Sequence, residues 1–209
     1  PLYSSAASDV YKRQMQGLAD GYFIAPRTVA SYLAKNQFEP IGLDHPAVVQ
    51  TLNEVKKRIS KLMNAPEPKH SPDYYHKKVG QILWGACGMA RKREALKSAI
   101  EEIATLQIDF WQHIKVTGVD NEMNQTLERA GRVADFIELG QLMCRDALER
   151  EESCGCHARM EHLAEDGEAK RDDDNFAYVA AWEYSEEGEI LNKELLDFEF
   201  VKPSVRNYT

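Results

Sequence analysis

The feature that most constrains this chain is the spacing of its apolar residues, which recur at helical rather than strand intervals through its first three quarters. Between Leu43 and Asn64, Val48, Leu52, Val55, Ile59 and Leu62 follow at steps of 4, 3, 4 and 3, the interval that gathers side chains on one face of a helix. Asp44 can cap that helix and Pro46 suits its first turn. The stripe predicts a face turned toward a partner helix. After the breaker NAPEPKHSPD, Ser71 and Pro72 signal a second start, and Tyr75, Val79, Ile82, Leu83 and Ala86 share a face of a short helix. Gly85 and Gly88 should weaken or bend it.

A third helix is expected from about Lys92 to Val116, with Leu96, Ile100, Ile103, Phe110 and Ile114 as its stripe, supplemented by Ala99 and Leu106. Thr117 to Asp120 reads as a turn. A fourth runs from about Glu122 to Arg150 and carries Met123, Leu127, Ala130, Ala134, Ile137, Cys144 and Leu148. Upstream, Met15 to Lys35 is a small-residue-rich helical piece that Pro26 can stop or kink. Helices of about 20 to 28 residues are about 30 to 40 Å long, and short turns between matched lengths make them antiparallel neighbours.

The pattern then changes. Glu161, Glu165, Asp166, Glu168, Asp172, Asp173 and Asp174 crowd a stretch without a periodic face, the mark of a solvated loop. From Phe176 to Tyr184 the aromatics Phe176, Tyr178, Trp182 and Tyr184 alternate with smaller residues, as in a strand whose aromatic face packs on helices. SEEGE supplies a turn, and Ile190 to Val201, with Leu191, Leu195, Phe198 and Phe200, completes a hairpin before the polar tail KPSVRNYT. The expected fold is mainly α: an antiparallel three- to four-helix bundle followed by an acidic loop and a C-terminal β-hairpin. Pro1 to Gln14 has neither helical nor strand periodicity and reads as a non-native leader.

The balance of 26 Lys+Arg against 34 Asp+Glu gives a formal charge of −8, which argues against broad nucleic-acid binding, since that rests on neutralising phosphates. No apolar run approaches the roughly 18 residues of a membrane-spanning helix. Four cysteines, Cys87, Cys144, Cys154 and Cys156, are too unevenly placed for a disulfide scaffold and read as reduced thiols.

The most chemical-looking cluster is EESCGCHARMEH, which holds Cys154, Cys156, His157 and His162. Zinc sites favour ligand pairs two to four residues apart with a second pair elsewhere, and no second pair exists. A nucleophilic Cys–His pair is disfavoured because sequence neighbours rarely face each other productively. The basic clusters Lys56-Lys57-Arg58 and Arg91-Lys92-Arg93 read as solvated helix faces. His45, His76 and His113 have no matched partners in sequence and default to structural roles. Neither GxGxxG nor GxxxxGK[ST] occurs, so no phosphate-cradling loop is present. The residues alone give no complete active site.

The order of pieces is nonetheless distinctive. GLADGYFIAPRTVASYLA, then GMARKREALKSAIEEIATLQIDFW, RVADFIELGQLMCRDALEREESCGCHAR, GEAKRDDDNFAYVAAWEY and VKPSVRNY together resemble the C-terminal part of the flavoprotein subunit of succinate dehydrogenase and fumarate reductase, over Met15 to Thr209. The most specific signature is ESCGCHAR, which looks like the family's E-S-R-G-x-H-x-R loop. Glu152, Ser153, Gly155, His157 and Arg159 match it, with a structural or interface role. Cys154 departs from it, standing where many members carry Arg, and Cys156 fills a position that is usually small.

The resemblance implies interconversion of succinate and fumarate, with FAD as the hydride partner, and electrons leaving through an iron–sulfur subunit toward quinone at a membrane anchor. It implies a peripheral location on the inner face of the cytoplasmic membrane. The flavin-binding segment and the catalytic residues of that family lie upstream of Met15, so this chain is expected to supply no catalytic, cofactor-binding or metal residue and to be inactive alone. Residues 15–40 would be a remnant of the flavin-binding domain, 41–155 the helical C-terminal domain, and 156–209 the loop, hairpin and tail that close the subunit. An L-aspartate oxidase-type flavoprotein shares this layout. A free-standing helical interaction module, or a small metal-binding protein using Cys154, Cys156 and His157, are the readings from other classes.

Overall fold

The computed structural model describes residues 15, 17–36, 38–165, 167–185 and 188–195, which fall into two units divided between Arg58 and Ile59. In the first, a π-helical turn Asp20–Ile24 leads into α1 (Ala25–Lys35). Pro26 opens α1 instead of breaking it, because the first turn needs no N–H from that position. Asn36 closes the helix, its N–H and Nδ2 both donating to the Tyr32 carbonyl at 3.1 and 2.7 Å. Leu18, Tyr22, Phe23, Ile24, Val29, Tyr32 and Leu33 are all at least half exposed.

Helix α2 (Pro46–Met63) starts in this unit and ends in the second. Its stripe forms as the spacing predicts, yet it is covered only at its C-terminal end. Leu62 is buried, whereas Leu52 and Val55 remain 47% and 48% exposed. Periodicity specifies a face; it does not supply what covers it.

In the second unit, α3 (Pro72–Ala86), α4 (Arg93–His113) and α5 (Gln125–Glu149) pack against one another around Tyr75, Val79, Leu96, Ile103, Phe110, Ala130, Ile137 and Cys144. Tyr75 meets Phe110 edge to face at 5.1 Å. Gly140 lets α3 and α5 close up: a Cβ there would lie 3.1 Å from Leu83 Cδ1. Lys61, on the last turn of α2, sits 4.4 Å over the Trp111 ring.

Helix ends differ from the expected ones wherever a polar group competes. Helix α4 stops at His113, not Val116, because Ile114 becomes extended and pairs with His70: Lys69 and His70 donate to the His113 carbonyl, and Lys115 donates to His70. Helix α5 starts at Gln125, not Glu122. Asn124 Oδ1 accepts from Leu127 N–H while its Nδ2 donates to the Thr117 and Val119 carbonyls, an N-cap that shuts the preceding residues out. Met123 is therefore outside the helix and 98% exposed.

His113 does have partners. Its Nδ1 lies 2.8 Å from Asp109 Oδ1, and Tyr75 Oη donates to Asp109 Oδ2 at 2.8 Å. Burial and the Asp109 carboxylate push the Tyr75 hydroxyl pKa up; burial would raise the Asp109 pKa too, but Tyr75 and His113 outweigh it and hold the carboxyl below its ordinary range.

The chain closes with a helical turn α6 (Asp173–Phe176) and a hairpin of β3 (Tyr178–Glu183) with β4 (Ile190–Leu195), antiparallel from Tyr178↔Leu195 to Glu183↔Ile190. Phe176 belongs to the helical turn and not to the strand, because Asp172 accepts from Asn175 N–H and caps that turn. The alternation holds from Tyr178 onward: Tyr178 is buried, and Trp182 donates to Asp146 on α5 at 2.8 Å. The expected leader 1–14, the far end of the second strand with Phe198 and Phe200, and the tail lie outside the described residues. Among the described residues no helix is long and apolar enough to cross a membrane.

Replacing Phe110, which is fully buried, by Ala should lower stability to urea by about 3–5 kcal/mol, whereas Val55→Ala on the half-exposed face of α2 should stay within about 0.5 kcal/mol. Equal losses would show that α2 is covered along its length.

Candidate functional site

A long helix ends with carbonyls that its own backbone does not satisfy. At the C-terminus of α5 these are met by one side chain. Arg159, fully buried, donates through Nη1 to the carbonyls of Ala147, Leu148 and Arg150 at 2.9, 3.1 and 3.3 Å. Its Nε reaches Glu161 Oε2 at 3.3 Å. Arg159 Nη2 and His162 Nε2 are buried without a partner among the described residues.

Arg159 is held in place by its strand. Here β1 (Ala90–Arg91) and β2 (Ala158–Arg159) form a short parallel clip, Ala90 beside Ala158 and Arg91 beside Arg159. The sequence places Arg91 and Lys92 on a helix face; the structure instead ends α3 at Ala86 and starts α4 at Arg93, with a bend at Cys87 to Met89 and the short strand Ala90–Arg91 between them. Arg91 then turns inward. Its Nε donates to the Gly88 carbonyl at 2.8 Å and its Nη1 to His157 Nδ1 at 2.7 Å. Since a guanidinium only donates, Nδ1 of His157 is an acceptor, and Nε2 is the N–H that donates to the Arg150 carbonyl at 2.9 Å. His157 is the neutral Nε2–H tautomer.

The remaining motif residues complete the turn. Ser153 Oγ accepts from Arg159 N–H at 2.9 Å and donates to its carbonyl at 3.1 Å. Glu152, 3% exposed, accepts from Arg150 Nη1 at 2.6 Å and from Asp172 N–H at 2.9 Å. Cys154 and His157 bond each other's backbones at 2.9 and 3.1 Å across a turn whose Gly155 has φ +61, a value that suits glycine. Cys154 and Cys156 point to the exposed side.

The structure thus brings Glu152, Ser153, His157 and Arg159 into one network and leaves Cys154, Gly155 and Cys156 at its rim. Both His157 nitrogens are engaged, so it is not free to join the two thiols as a ligand. Among the described residues no three metal-ligating side chains converge.

Sequence reasoning missed three participants. The charge pattern places Arg91 on a solvated face, where its bond to His157 leaves no sign. Arg150 donates to the Phe176 and Tyr178 carbonyls and lies over the Tyr178 ring at 5.0 Å, tying the loop to the hairpin. The acidic run places Glu161 in a solvated loop, yet its carboxylate accepts from the N–H of Arg93, the first residue of α4, at 2.7 Å. Burial tends to raise the Glu161 pKa, but the Arg93 N–H and the Arg159 charge outweigh it and hold it below the carboxylate range. Only the capping preference of an acidic side chain hinted at this, and nothing in sequence said which helix it would cap.

An open cleft of about 1070 Å³ lies beside the loop, lined among others by Arg93, Lys97, Arg145, Lys193 and Trp182. Most of its cations hold carboxylates: Arg93 with Glu151, Lys97 with Glu94, Arg145 with Glu189, Arg171 with Asp173 and Lys193 with Glu149. The cleft is mixed in charge rather than an anion trap.

Residues 76–208 match the family model described as fumarate reductase flavoprotein C-term. The chain is 24% identical over 162 residues to the fumarate reductase flavoprotein subunit of Haemophilus influenzae, covering 78% of this chain and 26% of the relative. Against that of Escherichia coli K12 it is 28% identical over 98 residues, 47% of this chain and 15% of the relative. The chain spans about a quarter of the length of the first of these relatives. Among solved structures, a quinol-fumarate reductase with menaquinol molecules matches with a TM-score of 0.64 at 23% identity, over 83% of this chain and 28% of that one. The Mycobacterium smegmatis Sdh1 complex in its apo form matches at 0.62 and 16%, over 78% and 26%. These likenesses establish the fold.

Arg159→Met should cost about 3–5 kcal/mol, because it strips the α5 carbonyls of their partner, and Arg159→Lys should restore only a minor part, a point charge being unable to span three carbonyls. Urea melts that leave Arg159→Met within about 0.5 kcal/mol of the parent would show the network to be incidental. Burial, with the Arg91, Arg159 and Arg150 charges adding to it, holds His157 below its ordinary 6.5, against the pull of its bond to the Arg150 carbonyl. The unfolded chain therefore takes up the proton first as pH falls, and stability present above about 6.5 is lost below it. Protection factors at residues 152–160, that is, exchange corrected for the intrinsic rate at each pH, should fall on acidification through that window, and the fall should be absent from His157→Gln.

Proposed function

The chain belongs to the fumarate reductase flavoprotein C-terminal family, and on that premise we propose that it is the scaffold and subunit-interface portion of a flavoprotein subunit that interconverts succinate and fumarate. The observation that carries this reading is the engagement of the motif loop. Glu152, Ser153, His157 and Arg159 each bond the chain's own backbone or charged side chains, which is what rigid positioning requires and leaves no group poised to take or give a substrate proton.

The described residues do not fit FAD. No glycine-rich turn of the kind that cradles a pyrophosphate occurs in the sequence, and Arg93, Arg145 and Lys193 of the neighbouring cleft already hold carboxylates. In this reading the flavin belongs to a portion upstream, of which residues 15–40 are the trailing end. Residues 41–155 form the helical domain and 156–209 the closing loop, hairpin and tail. The exposed apolar side chains of α1 and the preceding turn then have a natural cover in that portion. Electrons pass to an iron–sulfur subunit and from there to quinone at a membrane anchor. The subunit sits peripherally on the inner face of the cytoplasmic membrane. Glu152, Ser153, Gly155, His157 and Arg159 act as a shaped loop that presents a surface, without touching reacting atoms.

The purified 209-residue chain, incubated with FAD and then desalted, should carry no stoichiometric flavin absorbance and should not oxidise a reduced viologen dye when fumarate is added. The same residues joined to the flavin-binding portion encoded upstream should do both. Turnover by the 209-residue chain alone, or an upstream reading frame with no flavin-binding portion, would overturn the proposal.

A further inference from the structure

Three consecutive exposed residues, Cys154, Gly155 and Cys156, form the rim of the motif loop. The function just proposed rests on Glu152, Ser153, His157 and Arg159 and makes no use of the two thiols. The turn that holds them is tight: Cys154 and His157 exchange both backbone hydrogen bonds, at 2.9 and 3.1 Å, so the chain reverses across residues 155 and 156. Gly155 takes φ +61 to do so, and a Cβ on it would meet nothing within 4 Å, so the space beside the turn is open. Successive α-carbons stand about 3.8 Å apart. Where the chain doubles back, two that flank a single residue fall within the roughly 4.4–6.8 Å that a disulfide spans. The tether is covalent, so each thiol is held at high effective concentration for the other whichever rotamers they visit.

We propose that Cys154 and Cys156 are a reversible dithiol, closed to a disulfide across Gly155 by exchange with a low-molecular-weight disulfide such as glutathione disulfide. The Cys156 thiolate attacks one sulfur of that disulfide; a mixed S–S bond forms, the original S–S bond breaks and one thiolate leaves. The Cys154 sulfur then attacks that of Cys156; the bridge forms, the mixed bond breaks and the second thiolate leaves. The two departing thiolates take up the protons that Cys154 and Cys156 release. The two cysteines lose two electrons together, and one disulfide is reduced to two thiols. Excess thiol runs the exchange backward.

The surroundings suit that order. Partial burial, and after it the Glu152 carboxylate, hold the Cys154 thiol above its ordinary range, against the Arg171 and Arg150 charges. That suits Cys154 to the second, resolving step, where the tether compensates for a small thiolate fraction. The bridge leaves the loop beneath it standing. His157 is anchored through its ring to Arg91 and the Arg150 carbonyl, and Arg159 through its backbone to Ser153, contacts that use no cysteine side chain. What changes is the outer surface, where two S–H groups give way to one bridge that fixes the turn. Cys87 and Cys144, both buried in the core, serve as the internal comparison for access.

The test uses the full 209-residue chain, reduced, desalted, incubated with glutathione disulfide, then alkylated in denaturant and digested with trypsin. Peptide 151–159 holds both rim cysteines; it should be recovered unalkylated, two hydrogens lighter than the dithiol, and should take two labels only after dithiothreitol. Peptides 79–91 and 133–145, which carry Cys87 and Cys144, should be alkylated throughout. Cys154→Ala should stop the exchange at the mixed disulfide and leave one glutathione on Cys156. In a glutathione redox buffer the folded chain should hold the bridge at a lower ratio of disulfide to thiol than the same chain in urea, because the turn keeps the two ends together. Recovery of peptide 151–159 with both thiols alkylated, with two glutathiones and no bridge, or joined to a second copy of itself would each overturn the proposal, as would an equal or higher ratio for the folded chain.

Discussion

A guanidinium taken fully out of water at Arg159 sets the terms for everything around it. Burying an unpaired charge costs several kcal/mol, so the fold must bring acceptors to it, and it brings the carbonyl end of α5. That end carries the negative pole of the helix dipole. Two residues on, Glu161 places a carboxylate at the N-terminus of α4, where the pole is positive. One short strand exit thus delivers a cation to the end of one helix and an anion to the start of its neighbour. Arg159 and Glu161 also meet each other, so each charge is stabilised twice: once by a helix end and once by its partner.

The opposite end of the bundle is closed by a different device. Where α4 finishes, the His70–Ile114 bridge ends the helix, and Asp109 gathers Tyr75 and His113 beneath it. Between these polar closures the core is apolar and tightly drawn, with Gly140 admitting Leu83 and Val79. A bundle pinned at both ends by charged or hydrogen-bonded groups resists sliding of one helix along another. That is the property a piece needs if it is to hold a loop in register for a neighbouring surface.

How much of this was legible in the sequence follows from how local each determinant is. The stripes of α3, α4 and α5 depend on residues three and four apart, and Leu96, Ile103, Phe110 and Ile137 are buried as their spacing predicts. The hairpin alternation from Tyr178 is equally local. The helix ends were misplaced by about three residues because they are decided by distant partners, His70 for Ile114 and the Thr117–Val119 carbonyls for Asn124. Phe176 reads as strand because an aromatic in alternation looks like one, while an aspartate cap four residues earlier commits it to a turn. The signature residues at 152–159 could be picked out by resemblance, but Arg91, lying 66 residues before His157, could not: a pairing across that separation leaves no local pattern.

Cys154, which stands where the resemblance implies an arginine, can be placed on the same footing. Within the loop, side chains at 152, 153, 157 and 159 are engaged in building it, and residues 154, 155 and 156 lie on its exposed rim. A change at an inward position would leave a buried charge or carbonyl unpaired and would need a compensating change elsewhere. A change at the rim asks nothing of the interior: the backbone bonds between Cys154 and His157 use atoms that every residue except proline possesses. Substituting a thiol for a guanidinium at 154 therefore alters what the loop offers to whatever it faces, removing a positive charge and five donors, while leaving the construction of the loop intact. Cys154 thus falls on the rim with Gly155 and Cys156, whereas Glu152, Ser153, His157 and Arg159 are engaged within the loop.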